Sequence, residues 1–228
     1  MRRTRRIALW GALAALLLGA SAAIVLPRVA GGQADAHVLS IKGTREYQDA
    51  ALLGQAWALP VAALYRPDID YQRNASVCGP TSIVNVLHSL KQPGNQESVL
   101  EGTGLSTFLG YLPQGVTLDQ LADIAAKKVN GKISVLRDLD LAEFRAQLRR
   151  ANDPSRRYVI NFSRAPLFGT GGGHHSPIAG YLVDEDLVLV LDVNKKYGPW
   201  LVKSARLYDA MNTIDSAAQK KRGLLLIE

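Results

Sequence analysis

The sequence predicts an α+β domain in which helices come first and a largely antiparallel sheet follows. Between residues 78 and 150, apolar side chains recur at the three- and four-residue spacing of amphipathic helices. From Tyr158 onward they form short β-branched and aliphatic runs separated by turn residues. Because the two patterns follow one another instead of alternating, we expect two lobes, one mainly helical and one built on the sheet.

The helical lobe is predicted from three start signals. The first helix follows Cys78, carries its apolar residues on one face, and ends at the Lys91–Gly94 turn. The other two begin at Thr117 and Asp140, because each is followed three residues later by Gln or Glu, which is the pattern of a capping box. The Gly-, Pro- and polar-rich residues 92–116 predict a long loop before the second helix.

The sheet is predicted from runs of β-forming residues between turn signals. These runs are Lys132–Leu136, Tyr158–Phe162, Ile178–Val183, Leu187–Val193 and Leu224–Ile227. Asp184–Asp186 predicts a tight hairpin turn. An ideal two-residue turn there would pair Asp192 with Ala179, so His174 would have to fold back from the start of its strand.

The first thirty residues have the pattern of a targeting segment. Four arginines precede an apolar run from Ile7 to Leu26, as in a signal peptide or an uncleaved membrane anchor. Residues 1–30 therefore predict export: the protein would be periplasmic, soluble after cleavage or anchored to the inner membrane. Residues 31–58 are predicted to be a linker with a short helix that Gly54 ends, and residues 59–228 a catalytic domain.

Charge and cysteine usage exclude two classes of function. Of the net charge of +7, residues 1–34 account for five arginines and no acid, which leaves +2 for the rest of the chain. This body is nearly balanced, so a nucleic-acid partner is not expected. The single cysteine excludes an internal disulfide and a zinc site made of several thiolates.

Cys78 is the residue from which a catalytic site can be argued. It precedes a predicted helix whose dipole would favour the thiolate, although free cysteine is also a common buried side chain. His174, after the Gly171–Gly173 run, could be its base, and Asp192 could orient that base for acyl transfer. Gln72 could donate its side-chain amide to the oxyanion. A loop histidine and a turn aspartate that never meet Cys78 are the alternative.

Several motifs in chain order resemble the phytochelatin synthase family. They are Gln72 with Cys78–Ser82, the Thr117–Asp119 helix start, Asn161 within Val159–Phe162, Gly173–Pro177, Leu191–Val193, and Ala210–Asp215 followed by Lys221–Gly223. The similarity runs from about residue 60 to the end. It is closest to short bacterial members that have a leader and lack a cysteine-rich C-terminal domain.

The resemblance implies a papain-like fold and an enzyme that acts on glutathione. Cys78 would attack the amide between cysteine and glycine, release glycine and hold a γ-glutamylcysteinyl thioester. His174 would be the base and then the acid, Asp192 its orienter and Gln72 the oxyanion donor. Transfer to water would give γ-glutamylcysteine, and transfer to a second glutathione would give phytochelatin.

The resemblance also implies how the substrate is bound. Asp215 and Arg222 would grip the charged γ-glutamyl end, and Asn161 and Gly173 would line the same pocket. A divalent heavy metal, Cd²⁺ or Zn²⁺, would enter as a thiolate complex of the substrate, with no tightly bound cofactor. The implied role is a response to metal ions and heavy-metal detoxification.

Two departures from the family pattern bear on these roles. His175 stands where the family has an apolar residue, so His174 is assigned as the base from register and His175 is the alternative. In Asn194–Trp200 the family has an arginine where this chain has lysine, and the stretch is one residue shorter. Because lysine lacks the guanidinium fork, we expect hydrolysis to be favoured over polymer synthesis.

Two other classes of function stay open from the sequence. One is a papain-like peptidase that uses the same triad on other peptides. The other is a non-catalytic metal- or thiol-binding protein that uses Cys78, His174 and His175. Asp215 and Arg222 favour the glutathione enzyme, because a general peptidase needs no clamp for a free amino acid end. A homodimer is also open.

Overall fold

The computed structural model describes residues 38–65 and 69–228. The predicted targeting segment, residues 1–30, and the start of the predicted linker lie outside these residues. No helix within the described ranges is long and apolar enough to cross a bilayer.

Helices form the first part of the chain and recur between later strands. A 3₁₀ turn spans Ile41–Gly43, and helices α1 to α7 span Ala50–Trp57, Pro60–Tyr65, Cys78–Ser89, Leu118–Lys128, Leu141–Arg150, Ala165–Phe168 and Ser204–Met211. The Thr117 side chain caps α4 and the Asp140 side chain caps α5, each in a complete capping box. Both helix starts predicted from the capping pattern are therefore confirmed.

Eight strands are described, and six of them form one antiparallel sheet. Strands β1 to β8 span Ile133–Leu136, Arg157–Ser163, Gly173–Leu182, Leu187–Leu191, Pro199–Lys203, Ile214–Asp215, Lys220–Lys221 and Leu224–Ile227. Their order in the sheet is β1-β8-β2-β3-β4-β5, and every neighbouring pair is antiparallel. The short strands β6 and β7 pair separately as a hairpin.

Alternate residues of the sheet face two different helical layers. On one face, Ile160 and Val190 belong to a core shared with α5 and α7. On the other face, Val159 packs with residues of α3 and α4, while Leu189 packs with α1 and α2. Burying an aliphatic side chain of this kind contributes roughly 1.5–3 kcal/mol. This packing holds α3, and Cys78 at its start, against β3.

Strand β3 begins earlier than its apolar pattern predicted. The prediction started at Ile178, but residues 173–177 already pair with β2, although glycine and histidine give no strand signal there. A register shift between Ile178 and Gly180 then pairs Ile178 with Val190. The predicted pairing of Asp192 with Ala179 is therefore wrong. If this register continues for two residues, Asp192 lies level with Ser176. His174 therefore reaches Asp192 without the chain folding back at the start of the strand.

The described part of the predicted linker belongs to the folded body. Asp49 caps α1, which runs through Gly54 to Trp57 instead of ending at the glycine. Ile41 and Tyr47 are buried in the main core. Because isolated glycines are tolerated inside helices, a single Gly54 was a weak stop signal.

Candidate active site

Helix α3 places Cys78 at its first position. The residue before it, Val77, has no capping side chain, while the Ser82 hydroxyl donates to the Cys78 carbonyl at 2.8 Å. The sulfur therefore lies near the positive end of the helix dipole, which favours a thiolate. The next residue, Gly79, has no side chain, and a Cβ atom there would collide with Val116 in the loop that covers this end of the helix.

Strand β3 brings His174 to the carboxylate predicted to orient it. His174 Nε2 lies 3.0 Å from Asp192 Oδ1, and both side chains are buried. Phe162, directly across on β2, packs against the imidazole with ring centroids 5.5 Å apart. The ring is thus held between an aromatic neighbour and a carboxylate, which fixes its orientation.

Two residues that the sequence did not indicate also hold Asp192. Arg164 Nη2 donates to both carboxylate oxygens at 2.8 Å, and Trp200 Nε1 donates to Oδ2 at 3.1 Å. Burial would raise the pKa of Asp192, but the hydrogen bond and charge of His174 and the guanidinium of Arg164 lower it far below its usual range. The Asp192 carboxylate is therefore ionised throughout the physiological range.

Both histidines of β3 reach Cys78. His175 Nδ1 lies 3.9 Å from the Cys78 sulfur. Burial would raise the pKa of Cys78, but the charge of His174 and hydrogen bonds from both imidazoles hold it well below its usual range. Burial would lower the pKa of His174, but the charge of Cys78 and the hydrogen bond to Asp192 raise it. This arrangement favours a thiolate–imidazolium pair between Cys78 and His174.

A cavity of about 480 Å³ opens beside the sulfur. The predicted substrate-binding residues all line it, together with Cys78 and His175. Those residues are Asn161, Gly173, Asp215 and Arg222. The loop before α4 forms the opposite wall through Tyr111–Val116. The volume suits a small molecule and not a folded protein chain.

Arg222 is the charged group that shapes the far part of the cavity. Its Nη1 lies 3.2 Å from Asp215 Oδ2 and donates to Asn161 Oδ1 at 3.2 Å. Burial lowers the pKa of Arg222, although the carboxylate of Asp215 opposes that effect. A Cβ atom on Gly173 would come within 2.6 Å of the same nitrogen, so a side chain at this position would displace the guanidinium.

Gln72 is far from Asp192 in sequence but lies beside the segment that follows it, and the structure does not assign a role to its side chain. Its backbone N–H donates to the carbonyl of Val193 at 2.8 Å. Its side-chain oxygen is buried and has no hydrogen-bond partner among the described residues. Gln72 as the oxyanion donor stays a prediction.

Within residues 38–65 and 69–228, no group of three or more His, Cys, Asp or Glu side chains is arranged to hold a metal ion. Cys78, His174 and His175 meet, but in the arrangement expected for acyl transfer by a thiol.

Comparison with known proteins gives both a family and a fold. The family model described as phytochelatin synthase matches residues 48–224. Glutathione gamma-glutamylcysteinyltransferase 3 of Lotus japonicus is 37% identical over 119 residues, which cover 50% of this chain and 24% of that protein. Glutathione gamma-glutamylcysteinyltransferase 2 of Arabidopsis thaliana is 30% identical over 170 residues, which cover 68% of this chain and 37% of that protein.

The chain thus spans less than two fifths of the length of these relatives. Among solved structures, a C39-like peptidase from Bacillus anthracis matches with a TM-score of 0.51 and 13% identity, over 72% of this chain and 96% of that one. At this identity the likeness shows the fold alone. The fold is the predicted α+β papain-like arrangement, with the cysteine on a helix, the histidine on the sheet and the aspartate directly after β4.

Proposed function

The chain belongs to the phytochelatin synthase family, and from that premise we propose that it is a thiol acyl-transfer enzyme acting on glutathione. The relatives named glutathione gamma-glutamylcysteinyltransferase support this substrate. The observation that carries the proposal is the cavity itself, which has the Cys78 sulfur on one wall and the Arg222–Asp215 pair on another.

In the first half of the reaction, the Cys78 thiolate attacks the carbonyl carbon of the amide between cysteine and glycine. The carbonyl becomes an oxyanion, for which Gln72 is the proposed donor. His174 gives its proton to the amide nitrogen as the C–N bond breaks. Glycine leaves, and the γ-glutamylcysteinyl group stays on the sulfur as a thioester.

The γ-glutamyl end of glutathione carries both a carboxylate and an ammonium group. The Arg222 guanidinium is the proposed partner of the carboxylate, and the Asp215 carboxylate that of the ammonium. Asn161 holds the guanidinium in place, and Gly173 leaves room for it. An ordinary peptide has no free α-carboxylate on its amino-terminal residue, whereas a γ-linked glutamate has both a free α-carboxylate and a free ammonium. A pocket with this pair therefore discriminates against ordinary peptides.

In the second half, His174 removes a proton from the acceptor, which attacks the thioester and releases the Cys78 thiolate. Water as the acceptor gives γ-glutamylcysteine, and a second glutathione gives phytochelatin. Lys195 and Lys196, which stand in the stretch where the family has an arginine, are exposed. We therefore expect water to be the favoured acceptor, with Cd²⁺ or Zn²⁺ arriving as thiolate complexes of glutathione.

The proposed place of action rests on the sequence of residues 1–30. Their arginine-led apolar run supports export across the inner membrane, with a periplasmic role in the response to heavy metals. Fusion of these residues to a reporter that folds only in the periplasm should give an active reporter. Inactivity of that fusion would contradict export.

Product analysis tests the enzymatic proposal. The full chain is incubated with glutathione, with and without Cd²⁺ or Zn²⁺, and glycine, γ-glutamylcysteine and longer oligomers are quantified. We expect glycine and γ-glutamylcysteine in equal amounts, and little oligomer. Absence of glycine release by the wild type would overturn glutathione as the substrate. Oligomers as the main product would overturn the preference for water.

A further inference from the structure

His175 is a buried imidazole that the proposed mechanism does not use. It alternates with His174 along β3, so the two side chains leave the strand on opposite faces. His175 lines the cavity beside Asn161, its cross-strand partner on β2, and is 2% exposed. Its Nδ1 lies 3.9 Å from the Cys78 sulfur, whereas Nε2 has no hydrogen-bond partner among the described residues.

These contacts distinguish the protonation states of His175. A thiolate carries no proton, so the Nδ1–sulfur contact is a hydrogen bond only if Nδ1 carries one. A doubly protonated ring would bury an unpaired Nε2–H and add a second positive charge beside the His174 imidazolium. The neutral ring with hydrogen on Nδ1 avoids both costs.

We propose that His175 is a second catalytic imidazole, a neutral hydrogen-bond donor that stabilises the Cys78 thiolate from the cavity side. The inference rests on the proposed function, in which Cys78 is the nucleophile, and adds a hydrogen-bond donor to the Cys78 thiolate. His174 must gain and lose a proton in every cycle, whereas His175 keeps its Nδ1–H throughout. It therefore stabilises the sulfur both before attack and when the thiolate leaves the thioester.

Few other ionisable groups within the described residues act on the sulfur. Among those residues, the charged and titratable groups that face Cys78 are the two imidazoles from β3 and Arg222, which follows β7 and is paired with Asp215. Asp192 acts through His174. A change at position 175 can therefore be measured against a small and defined set of charges.

Alkylation of Cys78 tests the proposal directly, because it is the single cysteine of the chain. The rate of reaction of the full chain with iodoacetamide is followed against pH, which reports the thiolate fraction. His175→Phe removes the donor, and His175→Asn keeps an N–H near the position of Nδ1. We expect His175→Phe to raise the midpoint of the curve of alkylation rate against pH by about one pH unit. At pH values below the midpoint this is a roughly tenfold loss of thiolate. His175→Asn should recover most of that loss.

The control is His88→Gln, which removes an imidazole from the other end of α3 and should leave the midpoint unchanged. A wild-type midpoint in His175→Phe would overturn the proposal. An equal loss of thiolate in His175→Asn and His175→Phe would also overturn it, because the ring would then act through packing and not through a hydrogen bond.

A second measurement needs no substitution and stands even if His175→Phe fails to fold. Nitrogen-15 spectra of the histidine rings should show His175 neutral with hydrogen on Nδ1, and alkylation of Cys78 should shift that nitrogen. A ring protonated on Nε2 alone would overturn the proposal. Neither measurement uses glutathione, so both remain decisive if another compound is the substrate.

Discussion

Asp192 has no exposed surface, yet its carboxylate accepts hydrogen bonds from several directions. Its donors are His174 Nε2, Arg164 Nη2, Trp200 Nε1 and the backbone N–H of Asn194. A buried carboxylate is tolerated only when such partners compensate for its lost hydration. The same donors that stabilise its charge also fix the imidazole that faces Cys78.

Asp192→Asn should lower kcat/KM for glutathione by roughly a hundredfold to ten-thousandfold, because the imidazolium of His174 loses its carboxylate. The pKa of His174 is raised partly by Asp192, so the alkaline limb of the pH–rate profile should move to lower pH. Steady-state rates across the pH range check both effects. An unchanged alkaline limb would show that Asp192 does not act on the base.

The stability of the same variant should depend on pH in a defined direction. The pKa of Asp192 is lower in the folded than in the unfolded protein. Its stabilisation is therefore present above the unfolded pKa of about 4 and is lost as the pH falls toward the folded pKa. Urea unfolding should show Asp192→Asn less stable than the wild type at pH 7, with a smaller difference in strong acid.

Residue chemistry explains which parts of this site could be predicted from the sequence. Cys78 before a helix and His174 after a glycine run both carry local signals of reactive positions. Arg164 and Trp200 carry none, because an arginine after a strand and a tryptophan near the start of one have the same local pattern whether or not they meet a carboxylate. Their role depends on how β5 and α6 pack, which is set by tertiary contacts.

At the scale of elements, the substrate cavity depends on the start of β3 and on the chain that follows β7. Gly173 begins β3, and the Arg222 guanidinium occupies the space that a side chain there would fill. The hairpin of β6 and β7 carries Asp215, and Lys220 ties it to Asp119 of α4 at 2.9 Å. The Asp215–Arg222 clamp therefore comes from one hairpin and the residue after it, and the start of β3, distant in sequence, leaves room for its guanidinium.

Gly173→Ala should raise the KM for glutathione roughly tenfold with little change in melting temperature, because the new methyl group displaces the flexible end of Arg222. Gly172→Ala is the matched control, since a Cβ atom there meets nothing within 4 Å. Initial rates at varied glutathione check the effect. Equal KM values for the two variants would contradict the placement of Arg222 in the substrate site.

The element scale also shows why the strand register could not be derived from the sequence. The prediction assumed an ideal two-residue turn, but a four-residue loop, 183–186, separates the paired Leu182 and Leu187. A register shift between Ile178 and Gly180 then moves Asp192 one residue further toward His174. Such a bulge leaves no compositional mark in a run of aliphatic residues. The prediction therefore named two residues that do lie together, His174 and Asp192, but through a wrong register.

At the scale of the whole molecule, residues before the predicted domain support the catalytic core. Tyr47 stacks on Trp200 with ring centroids 6.4 Å apart and packs edge-on against Phe168 at 6.3 Å. Trp200 in turn donates to Asp192. A domain cut at residue 59 would remove this contact, so the folded unit extends at least to residue 41, where Ile41 is buried.

Tyr47→Ala should lower the free energy of unfolding by roughly 3 kcal/mol, because a buried aromatic ring is lost from the main core. Leu39→Ala is the control from the same segment: Leu39 is 87% exposed, and the change should stay within about 0.5 kcal/mol. Chemical denaturation measures both. Equal stability of the two variants would show that this segment is a linker, as predicted from the sequence, and does not stabilise the folded domain.

The proposed function requires Cys78 to carry the γ-glutamylcysteinyl group of glutathione as a thioester. The most direct measurement is acid quenching of the full chain during turnover, followed by mass spectrometry of the peptide that contains Cys78. We predict a γ-glutamylcysteinyl adduct on Cys78 in the wild type, and neither adduct nor glycine release in Cys78→Ala. Glycine released at the wild-type rate by Cys78→Ala would contradict a reaction through a thioester on Cys78.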